Sequence, residues 1–298
     1  MRRAALRFLE AEPGVELQVV APPEEETFWG PLTLHPPKGL AAGDRDPASI
    51  TAAALETAVA LALEGAVGGI ITGPVHKPTL QAGGLLFPGQ TEFLQARAGV
   101  PAVGMLMAAE RTRLGSPLRV LLATTHIPLA SVPAAVTTPV LVSQALLLDG
   151  ALREGWGYPE PRLALCAMNP HASDDGLFGD EEARVFQPAV EELESLGISI
   201  SPPLPADTVF QRALAGDFHA VIAPYHDVGM AAFKTVSFGT GVNVTLGLPF
   251  VRTSPDHGTA FSLKGTGRAD PSSALEALFL AARLARGRKA SFPATQAF

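Results

Sequence analysis

A chain of 298 residues that is 47% hydrophobic, with a mean hydropathy of +0.23, has enough apolar material for one large or two ordinary cores. Its net charge of −7 and pI near 5.5 argue against a nucleic-acid partner, because phosphate backbones demand clustered Lys and Arg and no long basic run accompanies Arg2-Arg3. A lone cysteine, Cys166, excludes an intrachain disulfide and fits a reducing cytoplasm; in RLALCAM it reads as a buried core thiol.

The most apolar stretch, AAALETAVALALEGAVGGII, is broken by Glu56 and Glu64 and ends in glycines, so no membrane span is expected. MRRAALRFLEAEPG has no apolar h-region and no small-residue cleavage pattern, and is not read as a signal peptide. Only two asparagines, Asn169 and Asn243, and five lysines against seventeen arginines are present. This depletion resembles a heat-adapted or GC-biased source and makes the surviving Asn and Lys more informative.

In chain order the first β-rich run is VELQVVAP. A helix is predicted from Pro47 to about Glu64, with Asp46 as N-cap and the proline at the first helical position, where its missing N–H is harmless. Strands are then expected at GGIITGP, RVLLATT, RLALCAM, AVIAPY and VNVTLGL. A second helix is expected over about Glu181 to Leu196, with acids in its first turn, a stop at Gly197, and Pro188 inside it to kink it or move its start. YPEPR and SPPLPAD read as loops, and no repeat or low-complexity linker appears. The alternation predicts an α/β protein with a largely parallel sheet.

Three of these strands run into histidine: RVLLATT into His126, RLALCAMNP into His171 and AVIAPY into His226. Loops beyond the carboxyl ends of parallel strands converge on the ligand crevice, so three imidazoles delivered there form a candidate site for Zn²⁺ or a related ion. Three protein ligands leave a position open, which is the catalytic pattern. Taken singly, each is equally an ordinary loop histidine, and no compact H-E-x-x-H motif sharpens the reading. Among the rest, His219 precedes its strand and reads as a surface or sheet-entry residue, and His35 is unassigned. His76, in GPVHKP, could line the crevice, and His257, in RTSPDHGTA, could serve structure or ligand.

Lys234, Asn243 and Arg252 form a candidate anion-binding set, combining a mobile charge, a neutral donor and a bidentate guanidinium. The chain has no G-x-G-x-x-G after a strand, no Walker A sequence and no G-x-S-x-G elbow. The residues alone therefore define an α/β enzyme with a candidate metal site and an anionic substrate.

The motifs ITGPVHKP, GQTEFL, ATTHIPL, NPHASDDGLFGDEE, PADTVF, YHDVGM and NVTLGLPFVRTSPDHGTA together resemble the 4-hydroxythreonine-4-phosphate dehydrogenase (PdxA) family of vitamin B6 biosynthesis, from about residue 15 to the C-terminus. The resemblance implies a fold like isocitrate and isopropylmalate dehydrogenases, with two α/β/α domains and the site in the cleft between them. One domain is expected at approximately 1–85 plus 235–298 and the other at approximately 86–234, the latter giving dimer contacts and metal ligands.

It also implies a homodimer with a shared site, NAD or NADP as oxidant, and Zn²⁺, Mg²⁺ or Co²⁺ as metal. Carried onto this chain, the family's metal ligands fall on His126, His171 and His226, and its substrate contacts on Gln90, Thr91, Lys234, Asn243 and Arg252. Asp207, Asp227 and Lys234 are the implied catalytic or proton-transfer groups. The implied reaction is oxidation at C3 with loss of carbon dioxide, giving 3-amino-2-oxopropyl phosphate.

Some positions depart from the family pattern. The family opens with a strand and a G-[DE]-P-A-G-I-G loop that this chain does not carry, and the expectation is of a start assigned too late rather than an altered crevice. Gln90 stands where the family places a histidine, Val228 replaces a glutamine, and Ser173-Asp174 replaces Gly-Glu. These differences keep two alternatives open: a 4-phospho-threonate or 4-phospho-erythronate dehydrogenase, and a catalytically weak metabolite-binding dimer.

Overall fold

The computed structural model describes residues 46–291; the expected strand at VELQVVAP and His35 lie outside them. In chain order the helices are α1 (Pro47–Leu63), α2 (Lys77–Ala82), α3 (Gln90–Ala98), α4 (Val132–Ala135), α5 (Thr138–Glu154), α6 (Gln187–Ser195), α7 (Ala206–Leu214), α8 (His226–Ser237) and α9 (Ser272–Ser291). The strands are β1 (Gly69–Ile71), β2 (Gly104–Ala109), β3 (Leu118–Leu122), β4 (Arg162–Cys166), β5 (Ser199–Leu204), β6 (Ala220–Ala223), β7 (Val242–Leu246) and β8 (Val251–Pro255). They form one sheet in the order β1-β8-β7-β2-β3-β6-β4-β5.

The start of α1 is as the sequence predicts: Asp46 accepts from the Ser49 backbone N–H at 3.0 Å and the Ser49 hydroxyl at 2.8 Å, and Pro47 opens the helix. The second expected helix is present over almost its expected span, and Pro188 sits inside it without moving its start. A single π turn, Glu182–Phe186, precedes the proline, and the regular helix α6 begins at Gln187.

The sheet is mixed, which corrects the largely parallel expectation. β2 pairs antiparallel with both β3 and β7, and β7 antiparallel with β8, whereas β1–β8, β3–β6, β6–β4 and β4–β5 are parallel. The reversed strands are β2 and the β8–β1 pair; β2, GMLMAA, is a short run buried on both faces, whose pattern does not distinguish strand from buried helix. SISPPL, read in part as loop, is β5. It lies at the edge of the sheet, where prolines that cannot donate to a ladder are tolerated.

Alternating residues separate the two faces. One face carries Leu106, Leu121, Leu163, Leu165, Ile222, Val242 and Val244 under α5, α6 and α9. α5 presents Leu141, Ala145, Leu148 and Leu152 to it at helical spacing. The opposite face holds Met107, Val120, Leu122, Ala164 and Val221 under α7 and α8. A separate apolar cluster gathers Leu55, Leu80, Phe93 and Phe250 from α1, α2, α3 and the loop before β8 around Ile70.

Gly229 lets α8 lie close on the sheet: a Cβ there would stand 2.6 Å from Leu122 Cδ2 and 3.0 Å from Ala223 Cβ. Among the described residues no single helix is long and apolar enough to cross a membrane.

Candidate active site

β3 and β6 pair in parallel, with Leu122 opposite Ala223. The pairing continues past the strands: the Ala123 N–H donates to Ala223 O at 2.9 Å, and Thr124 donates to Pro224 O from its N–H at 3.2 Å and its hydroxyl at 2.8 Å. Two residues further on, the chains deliver His126 and His226 side by side, with ring centroids 5.2 Å apart. A pocket of about 230 Å³ opens there, lined among others by Thr125, His126, Ile127, Tyr225, His226 and Asp227.

His226 opens α8 and its Nδ1 lies 2.7 Å from Asp227 Oδ1. An imidazole donating from Nδ1 to a carboxylate keeps the Nε2 lone pair for a ligand. His126 is held below the ordinary histidine range, first by desolvation and then by the neighbouring His226 and Lys77, with Glu92 opposing. It is therefore neutral near pH 7, the form that binds a cation.

His171 arrives differently. It stands in a turn in which His171, Ala172, Ser173, Asp174 and Asp175 all have positive φ, between 47° and 71°. Non-glycine residues in this region cost about 1–2 kcal/mol each, so the surroundings must impose the turn. Glu182 Oε1 accepts the N–H groups of Met168 at 2.8 Å and Asn169 at 2.9 Å. Its Oε2 accepts from Asn169 Nδ2 at 2.8 Å and from the Ser173 hydroxyl.

Desolvation raises the Glu182 pKa, but hydrogen bonds from Ser173, Asn169 and Met168 outweigh it and hold the carboxyl below its ordinary range. Gly179 completes the packing, since at φ 137° a Cβ would sit 2.7 Å from Asn169 Nδ2. Among the described residues of a single chain, no group of three His, Cys, Asp or Glu side chains is placed to hold a metal. The structure thus pairs two of the three expected histidines and leaves His171 on its own turn.

The anion set is distributed over α8, β7 and β8. Thr245 lies opposite Arg252 and Asn243 opposite Ser254, so Asn243 and Arg252 point from one face as diagonal neighbours. That face also bears the two apolar clusters under α1–α3 and under α7–α8. Arg252 is only 4% exposed and among the described residues has no carboxylate partner and no partner for its buried Nε; it donates to Thr245 Oγ1 at 3.0 Å and Thr72 Oγ1 at 2.8 Å. Burial lowers its pKa to about 10, Glu92 opposing.

Gln90, the first residue of α3, donates from Nε2 to Gly73 O at 3.2 Å, one residue beyond Thr72, and its Oε1 is a buried acceptor without a partner. Thr91 follows it, half-buried. Lys234 lies two turns along α8 from His226, about 12 Å by helical rise, and its Nζ is 3.2 Å from Asp256 O. Asp207 is exposed in the first turn of α7, which packs against the turn at Pro170–Ser173.

The other histidines are accounted for locally. His219 accepts the Arg162 N–H at 2.9 Å and stacks on Tyr158, as a sheet-entry residue should. His76 meets Phe261 edge-on, and His257 Nδ1 lies 2.9 Å from Gly258 O.

Sequence reasoning missed Lys77 and Glu92, which bear electrostatically on His126, and Thr72, Thr245 and Glu182. The scarcity of lysine pointed toward Lys77. Nothing in DEEARVF marks Glu182 as buried.

An imidazole pair at the ends of two parallel strands, with a buried guanidinium on β8 of the same sheet, is the equipment of an α/β enzyme for small anionic substrates. The model of the pyridoxal phosphate biosynthetic protein PdxA family matches residues 11–281, and the chain belongs to that family. A 4-hydroxythreonine-4-phosphate dehydrogenase of Paracoccus denitrificans (strain Pd 1222) is 46% identical over 250 residues, 83% of this chain and 77% of that protein. One of Xanthomonas campestris pv. campestris (strain 8004) is 43% identical over 276 residues, 91% and 84% of the respective chains. The crystal structure of the Klebsiella pneumoniae 4-hydroxythreonine-4-phosphate dehydrogenase is similar with a TM-score of 0.73 and 38% identity, covering 85% of this chain and 76% of that one. The mixed α/β fold is thereby matched to solved members of the family.

Proposed function

We propose that the chain oxidises 4-hydroxythreonine 4-phosphate at C3 with NAD or NADP, with decarboxylation, and that a divalent ion held by His126, His171 and His226 assists. The observation that carries this reading is the His126–His226 pair, neutral at His126 and oriented by Asp227 at His226, in a chain 46% identical to a named dehydrogenase. The donor set suits Zn²⁺ or Co²⁺ better than Mg²⁺, because imidazole is the softer ligand. Such an ion, when bound, supplies Lewis acidity that lowers the pKa of the substrate hydroxyl and stabilises charge on the oxidised carbon skeleton.

The chain's own residues position the rest. Arg252, buried and without an ion-pair partner among the described residues, attracts the phosphate or carboxylate, with Lys234, Asn243 and Thr91 as further contacts. Gln90 is tied to Gly73 through its only donor group, so its free Oε1 accepts from a substrate amine or hydroxyl. Asp227 holds the His226 ring and Asp207 lies by the His171 turn, as proton-transfer or orienting groups. Because one chain does not gather three ligands, the reading includes a homodimer in which a second copy completes the site. The single buried thiol supports a cytoplasmic setting.

The test is NAD(P)H formation from 4-hydroxythreonine 4-phosphate, 4-phospho-threonate and 4-phospho-erythronate, before and after chelation and re-addition of Zn²⁺ or Co²⁺. Turnover of the first, lost on chelation and in His226→Ala, is expected. Activity indifferent to chelator, or confined to the non-aminated acids, overturns the reading.

A further inference from the structure

The His171 turn holds five successive L-residues in a backbone region they avoid, without a glycine among them, and places the imidazole at its first position. What opposes that strain is one side chain from eleven residues downstream. Glu182 is 6% exposed, and among the described residues its carboxylate has no salt-bridge partner; it receives four donors, two from the backbone leading into the turn, one from Asn169 and one from Ser173 inside it. The adjoining Glu181 accepts a further bond from Asn169 Nδ2 at 2.7 Å. The π turn that opens at Glu182 and the proline behind it fix where this carboxylate stands.

We propose that Glu182 is the positioning residue for His171: its carboxylate locks the left-handed turn and so sets the orientation in which the imidazole meets its ligand. Glutamine at this position presents an NH₂ group where Oε2 stood: the Ser173 hydroxyl can turn to accept from it, but Asn169 Nδ2 can only donate, so the Asn169 bond is lost, two donors face each other and the turn is loosened. The proposal rests on the metal reading only for the affinity readout below; the locking of the turn is independent of it.

The experiment compares the full-length wild-type protein with Glu182→Gln and with Ser173→Ala, which deletes one donor and leaves the carboxylate. Amide hydrogen exchange and Co²⁺ affinity, read by visible absorption under chelator competition, are measured on each. Glu182→Gln is expected to speed exchange at least tenfold over residues 168–176 with the sheet strands unchanged, and to weaken Co²⁺ about 10- to 100-fold. Ser173→Ala should shift both in the same direction by less, and it carries the test if Glu182→Gln does not fold.

Adding Ala172→Gly, which removes the left-handed penalty at one position, should recover part of the lost Co²⁺ affinity, a rescue that loss of general stability does not produce. Exchange at 168–176 unchanged in Glu182→Gln, or Co²⁺ affinity within twofold of wild type, overturns the proposal. If the wild-type protein binds no Co²⁺, the three-histidine reading fails, and the exchange measurement alone decides the role of Glu182.

Discussion

The Thr124 hydroxyl donates to the Pro224 carbonyl at 2.8 Å, a buried bond that holds β3 and β6 together beyond their last ladder pair and sets His126 beside His226. Thr124→Val keeps the shape and deletes the donor. It should cost about 1 kcal/mol in denaturant unfolding, and lower kcat more than that loss of stability accounts for. Unchanged kcat would show that the backbone pairing alone sets the two rings.

Arg252 is buried with no ion-pair partner among the described residues, and its guanidinium pKa, lowered to about 10, corresponds to an electrostatic cost on the order of 3 kcal/mol at neutral pH. For a base with a lowered pKa this cost is fully present below the folded value, so it is carried throughout the physiological range. Arg252→Met is therefore expected to unfold no more easily than wild type in urea, while KM for the phosphorylated substrate rises at least tenfold. A strongly destabilised Arg252→Met would mean that the threonine contacts outweigh the desolvation.

Glu110 receives Arg119 Nη2 at 2.9 Å, Trp156 Nε1 at 2.8 Å, and Arg283. Desolvation raises its pKa, but the Arg119 charge and the three donors outweigh that and lower it overall. Because the folded pKa is depressed, the stabilisation is complete above the unfolded value of 4.5 and is lost as pH falls through the folded value. Glu110→Gln should lose roughly 3 kcal/mol at pH 7, and its stability should converge on that of wild type in acid. Urea midpoints measured from pH 7 to pH 3 check this.

Cys166 is fully buried, and burial pushes its thiol up to about 12. It should resist Ellman's reagent at pH 8 in the native protein and react stoichiometrically in denaturant. Fast native labelling would contradict the packing around β4.

The histidine pair was legible because strands ending in histidine are a local pattern, and parallel neighbours bring their ends together. Its exact partners were not, since adjacency of β3 and β6 depends on a strand order that no single segment encodes. The reversal at β2 was hidden for the same reason, and β8 was obscured by RTSPDHGTA, whose polar residues read as a loop although Arg252, Thr253 and Ser254 are buried in the sheet. Buried threonines as partners for an arginine, and a buried glutamate under a loop, leave no mark in composition or periodicity. The family motifs named His171 as a ligand, but the left-handed turn that carries it follows from contacts with Glu182, not from its own residues.

β7 pairs with β2 across more than 130 positions of sequence, Ala108 meeting Val242, whereas β2 and β3 form a short-range hairpin. The hairpin can close early, but β1 and β8 join the rest of the sheet only once β7 arrives, long after the hairpin has been made. Until then the strand bearing the buried Arg252 and the strands leading to the imidazoles are separate pieces, and slow refolding should be dominated by that single late seam.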